Sequence, residues 1–310
     1  MYAPHIVHLY AEWCNLARGG VSLRGDAPSV GAHQQCFEGE TMPVPLREEA
    51  VGHATHDLGP RSVVDRALSI LAAFHGTDRP LSLSDISRRC SLPIATCYRI
   101  VLRLVNWGAL ERDEDNHYRI GLRLWEIASL APRSVGLQRI ARPHLLALYE
   151  ATGCAAHLAV REGAECVSID RIQNPRRPTA RPRTGNRYPM HPTAIGLVLL
   201  AHAPDDIRGF VMAGNLDELT PRTTTAPDEL LRELDRIRTA GYAITDRQVD
   251  HKHVSVAAPV RSRAGEVVAA VSLSYEFDGK TAAESLVPIV CHAASQISRA
   301  IARRGAAEAA

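Results

Sequence analysis

The sequence predicts an α+β fold divided into two domains. The chain has 310 residues, enough for two hydrophobic cores at roughly 150 residues per domain. Its 45% hydrophobic and 23% charged residues are close to the globular average, which argues against a fibrous repeat or a chain disordered throughout. Helical apolar spacing dominates the first half, whereas strands and helices interleave irregularly in the second. This order favours an α+β sheet over a doubly wound one.

The composition also bounds where the protein works. Lys and Arg number 36 and Asp and Glu 34, so 36 − 34 leaves a formal net charge of +2. No apolar run approaches the roughly 18 residues that a membrane span requires, and Met1 to Gly20 lack the features of a secretory signal. Seven widely spread cysteines without a C-x-x-C pair are typical of buried or free thiols. We therefore expect a soluble, cytoplasmic protein.

Residues 1–60 are expected to form an irregular, disordered extension that joins no core. They contain three Arg, seven acidic residues and five His, with Gly and Pro scattered without a period. Met42 lies inside this segment and offers an alternative start of translation. This start is a hypothesis that N-terminal sequencing of the native protein would test.

Three helices are predicted after this extension. The first follows Ser62, which can cap it, and carries apolar residues at spacings of three and four before a turn at Gly76. The second opens after Ser82 or Ser84. Pro93 marks the first turn of the third helix, where its missing N–H costs nothing.

The third helix is amphipathic, and a hairpin follows it. On a helical wheel, Thr96, Arg99 and Arg103 lie opposite the apolar stripe, with Tyr98 on the flank. Two extended segments, 109–112 and 117–120, are joined by a polar tip. Three helices and a hairpin in this order predict a winged helix-turn-helix.

The charge of this region fits nucleic acid. From Arg79 to Arg112 there are six Arg against Asp85 and Glu111, a local excess of four positive charges. Non-specific affinity for DNA comes from such surfaces. The alternative is a winged helix with a solvated basic face that docks a protein partner.

The second domain follows two more helices. A short helix over 122–130 carries apolar residues but is too short to fold alone, which predicts packing on another chain and thus dimerisation. A longer helix is predicted over 135–152. Strands are predicted over 154–160, 165–172, 242–245, 253–260 and 266–275, and helices over 193–203, 204–212, 227–240 and 281–304.

Six segments of the chain resemble those of one protein family. In order they read ALSILAAF, LSDISRRCSLPIATCYRIVLRLVNWGALERDEDNHYRIG, ARPHLLALYEATG, YPMHPTAIGLVLLA, GYAITD and VAAPVRSRAGEVVAAVSLS. Together they span about four fifths of the chain, from Arg61 to about Arg304. The chain resembles the isocitrate lyase regulator (IclR) family of bacterial transcription factors.

The resemblance implies a fold, partners and a function. Family members are dimers, often paired into homotetramers, whose winged helices bind a palindromic DNA operator. Their C-terminal GAF-like domain binds a small organic acid, and a catabolic operon is the expected target. The implied organisation is an extension at 1–60, a DNA-binding domain at 61–121, a linker helix at 122–134 and an effector domain at 135–310. Repressor and activator both remain open.

The resemblance assigns the DNA contacts to the third helix and the wing. Thr96 and Arg99 would contact base edges or phosphates, because the N-terminal part of such a helix enters the major groove. Tyr98 could reach a phosphate or a thymine methyl, and Arg103, further along, would contact the DNA backbone. In the wing, Arg112, His117 and Arg119 would contact the minor groove or its phosphates. For Arg112 and Arg119 the alternative is an exposed salt bridge to Glu111, Asp113 or Glu114. Ile94-Ala95 replaces the family's usual Lys-Ser, which removes two polar contacts.

A basic stretch precedes the expected effector pocket. Six arginines and no acid lie between Asp170 and Pro189. Such a stretch is either a solvated basic surface or one wall of a carboxylate pocket. By alternation, we expect Arg181 or Arg183 to turn inward and bind the effector.

The remaining effector contacts are implied by the family. They gather around a helix start, whose free N–H groups and positive dipole end suit an anion. Thr193 and Ser255 can donate hydrogen bonds to it, whereas for Met190 and Ile195 plain core packing is the alternative. The implied set is Tyr188, Met190, Thr193, Ala194, Ile195, Asp246, Ser255, Ala257, Ser272 and Ser274.

The chain departs from its relatives at two places. Lys252-His253-Val254-Ser255 stands where many members have Gly-Val-Arg-Cys, and Leu197 replaces a usual Lys. His251, Lys252 and His253 are therefore candidate effector contacts or pH-sensitive surface residues. A metal site at His251 and His253 is a third interpretation, but no third ligand is evident. We predict neither a metal nor a cofactor.

An enzyme is the rival class. Cys154, His157 and Asp170 could be proposed as nucleophile, base and orienting acid. However, Cys154 and His157 lie three residues apart on a strand and so on opposite faces. No G-x-S-x-G, H-E-x-x-H or phosphate-binding glycine motif occurs. The sequence therefore predicts a regulator without catalytic residues, in which this trio is buried and neutral.

Overall fold

The fold is known from a computed structural model, which describes residues 62–77, 79–131, 135–174 and 184–307. The chain divides into two compact units between Val135 and Gly136. The expected extension at 1–60, including Met42, lies outside the described residues. Among the helices that are described, none is long and apolar enough to cross a bilayer.

The first unit contains the elements of a winged helix-turn-helix. The elements are α1 (Val63–Ala72), α2 (Leu83–Cys90), α3 (Ile94–Trp107), β1 (Leu110–Arg112), β2 (Tyr118–Ile120) and α4 (Leu122–Ala128). Strands β1 and β2 pair as an antiparallel hairpin. Tyr118 of β2 also forms an isolated antiparallel bridge with Leu81, which ties the hairpin to the segment before α2.

Local chemistry sets where these helices begin and end. Ser62 and Ser82 each form a capping box, in which the serine hydroxyl accepts a backbone N–H and an aspartate three residues on returns the bond. The sequence left Ser82 and Ser84 open as the start of α2, and the structure selects Ser82. Gly108 ends α3 in the left-handed region, at φ 87°. A Cβ at Gly121 would overlap the Gly108 carbonyl oxygen, so this close approach requires glycine.

The apolar face of α3 forms the centre of the first core. Cys97 and Val101 are fully buried, and Ile100, Leu104 and Val105 pack beside them, as the helical wheel predicts. The rest of this core comes from every other element except α4, through Ile70, Ala73, Leu81, Ile86, Cys90, Leu110 and Tyr118.

The second unit is built on one antiparallel sheet of six strands with helices on both faces. The elements are α5 (Leu137–Thr152), β3 (Ala155–Glu162), β4 (Glu165–Ile172), β5 (Arg187–Pro189), α6 (Ala194–Ala201), α7 (Asp205–Ala213), α8 (Pro227–Ala240), β6 (Ala243–Asp246), β7 (His253–Arg261), β8 (Val267–Glu276) and α9 (Val287–Ala307). The strand order is β5-β4-β3-β8-β7-β6. Helices α5 and α9 pack on one face of this sheet, and α6 and α8 contribute to a second core on the other face.

The structure differs from the sequence prediction at two elements. The short strand β5 was not predicted, because its three residues are defined by pairing with β4 and not by their own pattern. The last helix begins at Val287 and not near 281, since residues 283–286 form a separate 3-10 turn. Pro288 therefore stands in the first turn of α9, where it needs no backbone N–H.

Candidate functional site

The exposed side of α3 carries two arginines that are available to a partner. Arg99 and Arg103 are exposed and make no ion pair or hydrogen bond to any residue that the structure describes. Tyr98 is exposed beside them, and Thr96 is half-buried. The four residues that the sequence assigned to this helix therefore lie away from the core.

The arginines of α2 and its flank are held within the unit. Arg88 lies 2.8 Å and Arg79 3.8 Å from the carboxylate of Asp85. The Ser82 hydroxyl, and to a smaller extent these two arginines, lower the pKa of Asp85, so the carboxylate stays charged. Arg89 donates to the carbonyl of Ala73. Arg79 and Arg88 are thus paired with an acid, and Arg89 is held by a backbone carbonyl.

Arg119 of the wing forms an ion pair. Its guanidinium lies 2.9 Å from Glu111, directly opposite on β1. The backbone N–H of Leu122 donates to the same carboxylate, and this bond, followed by Arg119, lowers the pKa of Glu111. The salt-bridge alternative is therefore realised for Arg119.

Arg112 and His117 differ from Arg119. Arg112 is exposed, makes no ion pair with the described residues, and lies 6.0 Å from the ring centre of Tyr118. His117 donates its backbone N–H to Asp113 at 2.8 Å, and its Nδ1 lies 3.9 Å from the same carboxylate. Arg112 thus joins Arg99 and Arg103 as an unpaired cation.

Two helices of the first unit expose apolar faces. The exposed apolar residues are Val63, Val64 and Leu68 on α1, and Leu122, Trp125, Ile127 and Leu130 on and just after α4. Exposed apolar patches on a folded unit mark interaction sites. The start of α4 is fixed by Arg123, which stacks 4.5 Å from the ring centre of Trp107 and donates to the carbonyl of Trp107.

In the second unit, two rows of residues cross the sheet on the face that α6 covers. Residues directly opposite each other in neighbouring strands share a face. The register places Arg171, His157, Ser272 and Ala257 in one row, and Ala155, Ser274, Ser255 and Thr245 in the next. We call these eight residues the polar face.

The polar face carries hydroxyl groups with no hydrogen bond to the described residues. They belong to Thr245, Ser255, Ser272 and Ser274, of which Thr245 is 3% and Ser272 4% exposed. None of these four oxygens is among the fully enclosed unpaired atoms of the described residues, so each is open to a polar ligand. The structure therefore brings together Ser255, Ala257, Ser272 and Ser274 from the predicted set.

His157 anchors the opposite part of the polar face. Its Nε2 lies 2.7 Å from the Ser168 hydroxyl, and its ring meets the edge of Tyr188 at 6.2 Å between centres. Burial, with a smaller effect of Arg171, lowers the pKa of His157 to about 3. The imidazole is thus neutral at physiological pH. His157 belongs to the polar face, whereas the sequence suggested it only as a catalytic base.

Arg171 was named only as part of the basic stretch, yet it lies on the polar face. Its Nε donates to the Gln173 side chain at 2.8 Å, and burial lowers its pKa to about 10. Tyr188 lies close by, with a buried hydroxyl that has no partner at full hydrogen-bond geometry. Burial raises the pKa of Tyr188, although the Asn186 side chain is near enough to have a smaller, lowering effect on it. Arg181 and Arg183, the expected inward residues, lie outside the described residues.

The start of α6 is occupied by its own contacts. The Thr193 hydroxyl accepts the Gly196 N–H at 3.1 Å and donates to the Pro189 carbonyl at 3.3 Å. A Cβ on Gly196 would overlap Thr193 and lie 2.5 Å from the Met190 carbonyl oxygen. Thr193 thus fastens the loop to the helix, which differs from the expected donation to a ligand. Met190, Ala194 and Ile195 are buried in the core that includes α6. For Met190 and Ile195, this burial is the feature that the packing alternative describes.

Asp246 lies apart from the polar face, unlike the other residues of the predicted set on β6 to β8. It stands opposite Val254 in the register, and Val254 and Ser255 point to opposite faces. Its carboxylate pairs with Arg222 and, at 2.7 Å, with Arg247. It lines a pocket of about 420 Å³ at the β6 edge, together with side chains of α8 and others.

His253 begins β7 at the end of the polar face. Its Nδ1 lies 2.7 Å from Asp250, whose pKa falls to about 2 because hydrogen bonds from His253 and the Lys252 backbone outweigh the effect of burial. His251 precedes the strand, so the two histidines do not share a strand face as the metal interpretation assumed. Within the described residues, no group of three or more His, Cys, Asp or Glu could hold a metal.

The rejected catalytic trio is dispersed. Cys154 packs against the core formed with α5 and α9, whereas His157 faces the other side of the sheet. Asp170 is buried on the α5 side, and both its carboxylate oxygens accept Arg142 at 2.9 Å. No nucleophile, base and acid are brought together here.

Family profiles match both units. The profile described as "Bacterial transcriptional regulator IclR C-terminal" matches residues 130–299, more than half of the chain. The chain belongs to the IclR family. The profile described as "IclR helix-turn-helix domain" matches residues 63–114. The resemblance seen in the sequence and the predicted fold class are thus confirmed, and the protein is an IclR-family transcriptional regulator with a DNA-binding helix-turn-helix domain.

Individual relatives agree with this assignment. The transcriptional regulator XynR of Escherichia coli is 31% identical over 213 residues, which cover 68% of this chain and 84% of XynR. The regulator BhcR of Paracoccus denitrificans is 31% identical over 230 residues, covering 74% and 82%. A crystal structure of an IclR homolog from Microbacterium hydrocarbonoxydans, complexed with 4-hydroxybenzoate, has 32% identity and a TM-score of 0.73, and covers 77% of this chain and 99% of that one. The relatives are named as regulators and not as enzymes.

Proposed function

We propose that this IclR regulator binds a palindromic operator as a dimer or tetramer, and that a small organic acid bound at the polar face controls the binding. The regulated genes would form a catabolic operon, and operator binding implies a cytoplasmic protein. The observation that carries the DNA half is the unpaired state of Arg99 and Arg103 on α3. The match to a DNA-binding domain favours DNA over a docked protein partner.

Salt-dependent gel shift tests the DNA half. Each phosphate contact contributes about 0.9 to the slope of log affinity against log salt. Replacing both Arg99 and Arg103 by Ala removes four arginines from a dimer, so the slope should fall by up to about 3.6 and operator preference should be lost. Arg88→Ala is the matched control, since this exposed arginine is paired with Asp85. If the double variant binds promoter DNA as the parent does, α3 is not the recognition helix.

Dimer formation is supported by the exposed apolar faces of α1 and α4. Trp125 is 65% exposed, and burying such a side chain against a second copy is favourable. Trp125→Glu should yield monomers in light scattering. Phe210→Glu in the second unit, where Phe210 is 68% exposed, should leave the dimer intact. A dimeric Trp125→Glu variant would place the interface elsewhere.

The effector half is supported by the unpaired hydroxyls of the polar face. The Microbacterium relative, complexed with 4-hydroxybenzoate, makes a carboxylate the first class to test. A thermal-shift screen of aromatic and short-chain carboxylates is suitable, because a ligand at 100 times its Kd stabilises a protein by about 2.7 kcal/mol. Any stabilising acid should also change operator affinity. No shift with any of these acids would contradict this half of the proposal.

A further inference from the structure

The polar face has two chemically different ends. At one end, Arg171 on β4 and His157 on β3 lie next to Tyr188. At the other end, the hydroxyls of Ser255, Ser272 and Ser274 lie on β7 and β8. Strands β4 and β8 are separated by β3 alone, so their backbones are about 10 Å apart at roughly 4.8 Å per strand. A ligand that contacts both ends would therefore have about the length of one ring or a short chain.

The Arg171 end suits an anion. The neighbouring acid, Asp170, is turned to the opposite face of the sheet and is held by Arg142. His157 is neutral and adds no competing charge. The buried Tyr188 hydroxyl has a hydrogen-bond donor to offer. A guanidinium can bind a carboxylate through two parallel hydrogen bonds.

The hydroxyl end disfavours an anion. Its groups are uncharged, and the adjoining residues on the same face are His253 and Glu276, which pair directly across β7 and β8. Asp250 holds the ring of His253. A carboxylate placed here would lie near two acidic side chains, whereas a ligand hydroxyl or carbonyl would meet neutral partners.

We propose that Arg171, with the Tyr188 hydroxyl, holds the carboxylate of the effector, while Ser255, Ser272 and Ser274 bind a hydroxyl or carbonyl at its far end. The effector is therefore a small acid with a second, uncharged polar group, and not a dicarboxylate. This inference rests on the proposed effector site and assigns the anion to a residue outside the implied family set.

Thermal shift and calorimetry with four probes test this orientation in the full-length protein. The probes are 4-hydroxybenzoate, benzoate, terephthalate and methyl 4-hydroxybenzoate, which vary the two ends separately. 4-Hydroxybenzoate should bind best, benzoate more weakly, and the neutral ester and the dicarboxylate least. A charge-assisted hydrogen bond corresponds to about 10- to 100-fold in affinity. Arg171→Gln should therefore weaken 4-hydroxybenzoate by at least 10-fold.

Two control variants separate charge from position. Arg187→Gln removes the same charge from β5, where Arg187 pairs with Glu165 at 3.1 Å, and should leave affinity unchanged. Arg171→Lys keeps the charge but loses the paired geometry, so it should bind weakly while remaining folded. Ser272→Ala should lower affinity for 4-hydroxybenzoate to that for benzoate and leave benzoate unaffected.

The outcomes distinguish this inference from the proposed function. Equal binding of an acid by the parent, Arg171→Gln and Arg171→Lys would overturn the role of Arg171 while leaving the effector site in place. The same holds if the methyl ester or terephthalate binds as well as 4-hydroxybenzoate. If the parent protein binds neither these probes nor any acid of the wider screen, the proposed effector function itself fails.

Discussion

His157 should make the stability of the second unit depend on pH. Its pKa is about 3 in the folded protein and about 6.5 in an unfolded chain. The unfolded state binds the proton more readily, so protonation of His157 favours unfolding. The stability that the neutral imidazole allows is therefore fully present above pH 6.5. It is lost as the pH falls from 6.5 towards 3.

The size of the loss follows from the two pKa values. At pH 5 the imidazole is almost fully protonated in the unfolded chain and neutral in the folded one. Because pH 5 lies 1.5 units below the unfolded pKa, the free energy of unfolding falls by about 2 kcal/mol. This figure hardly depends on the native value, because at pH 5 any native pKa below about 4 leaves the folded imidazole neutral.

Urea unfolding of the full-length protein at pH 8 and pH 5, followed by far-ultraviolet circular dichroism, measures this loss. His157→Gln retains an amide that can bond to Ser168 but cannot take up the proton. The variant should therefore lose about 2 kcal/mol less than the parent between the two pH values. His251→Gln, which replaces an exposed histidine, should behave as the parent does. If His157→Gln and the parent lose equal stability, the imidazole does not stay neutral in the folded protein.

Three further substitutions, two of them with a matched control, test local features through the midpoint of urea unfolding. Gly196→Ala should destabilise by about 1–3 kcal/mol, because its Cβ meets loop backbone, whereas Gly209→Ala on exposed α7 has open space and should stabilise slightly. Ser82→Ala should cost about 1 kcal/mol through the lost cap, and Ser84→Ala less than about 0.5 kcal/mol. Arg142→Gln should cost about 1 kcal/mol or more, since it leaves the buried carboxylate of Asp170 without its cation. The cost should stay below the roughly 3–5 kcal/mol of a fully buried pair, because Arg142 is half exposed. Equal midpoints within either matched pair, or a neutral Arg142→Gln, would contradict these assignments.

Elements with strong local signals could be predicted from the sequence. Helix α8 has the expected bounds, because Pro227 opens it and Gly241, at φ 78°, ends it. Helix α3 has its expected faces, since apolar spacing alone decides which side is buried. Strand β5 carries no such signal. Its three residues become a strand only by pairing with β4, a contact between segments far apart in the sequence.

A bulge in β4 explains why strand periodicity does not place Arg171 on the polar face. Counting by twos from Cys166, which faces α6, would place residue 170 on the α6 side and Arg171 on the other. The register instead pairs Leu158 with Asp170 and Ala159 with Ser168, so Ile169 is an extra residue in β4. This bulge reverses the alternation beyond it. The bulge thereby turns Asp170 to Arg142 on α5 and Arg171 to the polar face. The residue pattern alone does not reveal this exchange of opposite charges.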